Sequence, residues 1–127
     1  MSKTEALRTV ITSKLETFCP RVYYGQAKKG TDRPYIVYSL EQIDQMDDQH
    51  TMELEVNVMD YGLDTGPVER ISDAVMDGFD RLYFMSEEIF FSAYPNRRQP
   101  VTEENRNVIR RRLLIEIHFY EMRGETQ

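Results

Sequence analysis

The chain has 127 residues, 40% hydrophobic and 30% charged, a composition sized for one soluble domain. No apolar run approaches the ~20 residues of a membrane span, and the net charge of −6 argues against broad binding to nucleic acid or anionic lipid. A single cysteine, Cys19, excludes an intrachain disulfide and a cysteine-cluster zinc site, and the stretch Met1 to Arg8 lacks the apolar core of a secretory leader. The expected location is therefore inside the cell that makes the protein.

Ser2 followed by Glu5 reads as a capping box, and Leu7, Val10, Ile11, Leu15 and Phe18 then recur at helical spacing, so a helix runs to Cys19-Pro20. Arg21 to Tyr24 reads as a short strand, and the polar stretch Gly25 to Pro34 as a loop. Tyr35 to Ile43 is β-branched and aromatic enough for a second strand. The polar segment Asp44 to His50 is expected to be the exposed, mobile tip of a long hairpin. In Met52 to Asp60, the apolar residues Met52, Leu54, Val56 and Val58 alternate with Glu53, Glu55 and Asn57, as a strand with one core face and one wet face requires.

Pro67 has the preset φ of a first helical residue, and Glu69 is placed to reach back to the free N–H groups of that first turn. Val68, Ile71, Val75, Phe79 and Leu82 then form one stripe of a second helix. Ile89 to Tyr94 reads as a strand, Pro95 to Asn107 as a surface loop and Val108 to Glu121 as the last strand. In that strand Leu113, Ile115, Ile117 and Phe119 should face the core, with Arg110, Arg112, Glu116, His118 and Tyr120 outward. The class that follows is α+β, a mostly antiparallel sheet with two main helices packed on one face. Residues 1–121 form the single domain, and 122–127 a patternless tail expected to be mobile.

No constellation points to catalysis. Asp64-Thr-Gly66 matches the tripeptide of homodimeric aspartic proteases, but Pro67 launches a helix where that chemistry needs a loop between strands, so turn propensity explains it better. Asp44, Asp47 and Asp48 lack the glycine and bidentate glutamate of a calcium loop. His50 and His118 stand in no ligand spacing, and Cys19 beside Pro20 reads as a packing residue. No catalytic, metal or cofactor residue is assigned.

Charge segregation is the informative feature. From Glu41 to Asp64 there are eight acidic residues and no Lys or Arg, whereas Arg97 to Arg112 holds six arginines against Glu103 and Glu104. Either neighbouring strands pair Glu53 and Glu55 with Arg110 and Arg112 inside one subunit, or an acidic edge meets a basic edge of the next subunit in a ring. The candidate interface residues are Asp47, Asp48, Glu53, Glu55, Arg97, Arg98, Arg110 and Arg112.

The leading helix, Arg21 to Tyr24, the strand from Pro34 to Tyr38, Met52 to Asp60 followed by the helix from Pro67, and the paired last strands resemble the tail terminator family of long-tailed bacteriophages. The resemblance covers nearly the whole chain and implies a non-enzymatic subunit of a ring, commonly a hexamer, located in the virion tail and in host cytoplasm during assembly. It further implies that this ring caps the tail tube, stops its polymerisation and joins the head. The implied partners are the tube protein, a head or neck connector protein and DNA passing through without sequence-specific binding, with no membrane and no cofactor. Another neck or minor tail protein of similar fold is the alternative, and a small homodimeric hydrolase using Asp64 a remote one.

Overall fold

A computed structural model of the chain describes residues 2–46 and 49–121. Helix α1 (Lys3–Glu16) begins with the expected reciprocal cap: Glu5 N donates to Ser2 Oγ at 3.1 Å and Ser2 N to Glu5 Oε1 at 2.8 Å. Its buried stripe is Ala6, Leu7, Ile11 and Leu15. The chain turns past buried Cys19 into strand β1 (Val22–Tyr24) and leaves the sheet at Gly25, whose φ of 81° suits a residue without Cβ. Strands β2 (Tyr35–Met46) and β3 (Gln49–Tyr61), helix α2 (Gly66–Phe79), and strands β4 (Leu82–Met85), β5 (Ile89–Pro100) and β6 (Val108–Glu121) follow.

The six strands form one sheet in the order β1-β2-β3-β6-β5-β4. It is α+β as expected, with one parallel pair, β1 beside β2, making the sheet mixed. The middle ladder of β3 and β6 runs without a break from Gln49↔Tyr120 to Tyr61↔Val108. The ladders on either side each carry one irregularity, at Ile43 in β2 and at Asn96 in β5. Both helices cover one face, where Val56, Val75, Phe79, Ile115 and Ile117 are fully buried in a single core. Gly78 lets α2 approach Phe18: a Cβ built there would stand 2.3 Å from the ring's Cζ.

Four expectations change. The expected hairpin is longer in strand than the polar sequence suggests: Asp44, Gln45 and Met46 pair with Thr51, His50 and Gln49, because residues 44–46 are exposed and polar side chains there cost the ladder nothing. Asp47 and Asp48 lie outside the described residues, as does the expected tail 122–127. Pro95 to Pro100 continues β5 and shortens the expected loop to residues 101–107; β4 stops opposite Ala93, so this part of β5 is itself an edge, where proline removes no ladder bond. Leu82 belongs to β4, since α2 stops at Phe79 and Arg81, with φ 57°, breaks the chain direction. Finally, Thr65 caps α2 without a side-chain bond and Glu69 does not reach back to the helix start; two arginines claim it instead.

Candidate interaction surface

The helix-free face of the sheet is built by the odd-numbered residues of β3 and their partners, and its chemistry changes row by row along the strands. Met46, Gln49, Tyr120, Phe90 and Met85 occupy one end, with the Phe90 and Tyr120 rings stacked at 4.9 Å. The next row holds Asp44, Thr51, His118, Ser92 and Tyr83. Then Glu41, Glu53 and Glu116 stand directly opposite one another on three adjacent strands. Like charges in register repel, so this row opposes the isolated fold by a small amount. Glu116 has His118 Nε2 at 2.5 Å, while Glu41 and Glu53 have no basic partner among the described residues. The row makes no metal site: among the described residues no three metal-ligating side chains converge.

Further along, Ser39, Glu55, Leu114 and Arg97 form one row, and Val37, Asn57, Arg112 and Gln99 the next. Leu114 is only 5% exposed although it faces away from the helices. Beyond them Arg110 faces Met59, and an open depression of about 1050 Å³ follows, where Arg21, Lys28, Lys29 and Arg33 outnumber Asp32 and Asp60. The face therefore grades from acidic to basic along the strand direction. Four residues at ~3.3 Å each place Glu116 and Arg112 about 13 Å apart.

The named arginines divide into two groups. Arg110 is engaged within the subunit: Nε donates to Asn57 Oδ1 at 2.8 Å, Nη1 to Glu103 Oε2 at 2.9 Å, and Nη2 lies 3.9 Å from Glu55 Oε2. Arg98 is on the other face, because the extra residue Asn96 shifts the alternation; it donates to Asp73 at 2.5 Å and Glu69 at 2.6 Å on α2. Arg111, which the charge count did not single out, completes this clamp by donating to Glu69 Oε2 at 2.9 Å. Hydrogen bonds from Arg111 and then Arg98 hold the Glu69 carboxyl below its ordinary value, and Asp73, then Glu69, raise Arg98. Arg97 and Arg112 have no carboxylate partner among the described residues, and Arg112 Nε is buried without an acceptor there. Of the expected intrasubunit pairs only Glu55 with Arg110 forms; Glu53 faces Glu41 and Glu116, and Arg112 faces Asn57.

Asp64 accepts a hydrogen bond from Gly66 N at 2.9 Å, the local turn its sequence context favours. His50 lies against the Phe119 ring at 5.8 Å, and buried Cys19 packs near the carbonyls of Arg21 and Pro34.

No family model matches the chain, and no curated protein does. The fold is similar to that of a chain in a solved structure described as the virion of native gene transfer agent (GTA) particle, with a TM-score of 0.61 and 12% identity, covering 84% of each chain.

Proposed function

We propose that this protein is a structural, non-enzymatic subunit of a phage or phage-like virion: a tail terminator that assembles into a ring, caps the tail tube, stops its growth and offers the surface to which the head is joined. The observation that carries this reading is the fold likeness to a chain of the gene transfer agent virion over 84% of both chains. It adds to an element order that already resembles the terminators. A hexamer, a tube protein and a neck connector as neighbours, and DNA passing through the ring belong to the same proposal.

The charges on the helix-free face serve contacts with neighbours in this reading. As a joint between adjacent subunits they fit poorly, because acidic and basic rows sit at different heights along the strands. Side by side, two copies would set like rows level. We therefore assign Arg97, Arg112, Glu41 and Glu53 to a virion partner that lies against the helix-free face.

Native mass measurement of the purified chain tests the reading. A closed oligomer that negative staining shows as a ring is the expected result, and Asp64→Asn should leave it unchanged. A chain that stays monomeric at high concentration, or a peptidase activity lost in Asp64→Asn, would overturn it.

A further inference from the structure

Among the described residues, two stretches of open sheet edge lie at the same level. β1 covers β2 only from Ile36 to Tyr38, and Gly25 then turns the chain away. Among the described residues, no strand pairs with the outer side of β2 from Ser39 to Met46. At the opposite margin β4 has β5 on one side and, among the described residues, no strand on the other. Through the registers of the intervening strands, Tyr83 stands in the row of Asp44, and Met85 in the row of Met46.

Among the described residues, most outward peptide groups on these margins have no partner strand. Ile36 N donates to Arg21 O and Gly25 N to Tyr38 O, so even-numbered residues of β2 turn their polar groups outward. By the same alternation Leu40 and Gln42 do so where β1 no longer covers them. After the irregularity at Ile43 the phase shifts, and the Gln45 N–H is satisfied by Asp44 Oδ1 at 2.8 Å. In β4, Ser86 N donates to Ile89 O, so even-numbered residues face β5, and Tyr83 and Met85 direct their groups to the margin.

The side chains match the backbone. Ile43, Met46, Tyr83 and Met85 are 52%, 69%, 61% and 54% exposed, and they flank these two margins. Neither stretch carries lysine or proline; β2 has Glu41 and Asp44 among its polar residues, but an open edge that exposes apolar side chains such as these is a template for another strand. Direction agrees too: three antiparallel strands separate β2 from β4, so both run the same way.

We propose that β4 of one copy adds to the free edge of β2 of the next, as a parallel strand beyond the end of β1, so that the sheet continues from subunit to subunit. This rests on the ring reading above and specifies its joint. Because both edges lie at one level, each addition rotates the next copy with little axial climb. Such a heterologous contact closes into a ring where a climbing one would give a filament. The wall of that ring is sheet, and its strands run along the axis with the tilt that closure imposes.

The test uses the full chain with Cys19→Ala. Asp44→Cys, on the same helix-free face as Tyr83 and Met85, is combined with Tyr83→Cys in one variant and with Met85→Cys in another, to bracket the register. Within a subunit the two strands are four spacings, roughly 19 Å, apart, whereas a disulfide needs Cα atoms within about 7 Å. Any bond formed therefore joins two copies. Oxidation of one of these variants should give a ladder of covalent oligomers ending at the ring's copy number. Gln42→Pro, which removes only an outward N–H, should remain folded and associate several-fold more weakly. If the wild type forms a ring while neither pair cross-links and Gln42→Pro assembles normally, the joint lies elsewhere and the ring reading stands. If the wild type forms no oligomer, both fall.

Discussion

Glu69 is the residue whose role is most changed by the tertiary structure. At the sequence level it is a first-turn carboxylate suited to free helix N–H groups, and only the fold brings Arg98 and Arg111, 29 and 42 positions away, onto it. Its folded pKa is depressed by those two hydrogen bonds. The clamp's contribution is then complete above the ordinary glutamate value of 4.5 and is lost as pH falls through the lower folded value. With the Glu69 side chain 37% exposed, the contribution is about 1 kcal/mol, the upper end for solvent-screened pairs. Glu69→Gln should lower the melting temperature at neutral pH and narrow its gap to wild type in acid, as measured by thermal melts across that range. An unchanged gap down to strong acid would show that the arginines hold α2 by packing alone. Arg111 was legible in advance by period-two alternation, which sets it opposite Arg110 and Arg112. Arg98 was not, because Asn96 shifts the phase before it.

Among elements, those with an unbroken period were readable and those with punctuation were not. Helix α2 and the core faces of β3 and β6 follow from spacing alone. β4 was hidden because Leu82 continues the helical phase of Val75 and Phe79. The far half of β5 was hidden because Pro95 and Pro100 read as loop residues until β4 is seen to stop short of them. The helix packing makes a prediction through Gly78 and Phe18. Alanine is favoured over glycine within a helix by about 1 kcal/mol, but a Cβ here meets the Phe18 ring at 2.3 Å. Gly78→Ala should therefore destabilise the native protein and stabilise the Phe18→Ala variant by about 1 kcal/mol. Chemical denaturation of the four proteins reads this difference; equal effects in both backgrounds would mean that the ring swings aside freely.

For the molecule as a whole, two kinds of contact with different salt behaviour are proposed, a backbone joint between ring neighbours and charged contacts made by the helix-free face. Exposed charges are screened over a Debye length of about 8 Å at physiological ionic strength, while strand pairing is not. Arg97→Glu with Arg112→Glu should leave the oligomer intact and weaken its docking to tube or head partners, and docking of the wild type should weaken with added salt. Loss of the oligomer in that double variant would return these arginines to the ring joint. Arg98 is left out of the set because it holds α2. The segregation of charge was legible in the sequence, but its direction was not, since only strand register orders Glu41, Glu53 and Glu116 ahead of Arg97 and Arg112. The irregularity at Asn96 has one more consequence. Its partners on either side, Pro95↔Ile115 and Arg97↔Leu114, are already consecutive on β6. A homologous chain one residue shorter at this point would keep every face assignment in both halves of β5, including the arginine beneath α2. Length can vary here by a single residue, while the same change in the middle ladder would turn half a strand inside out.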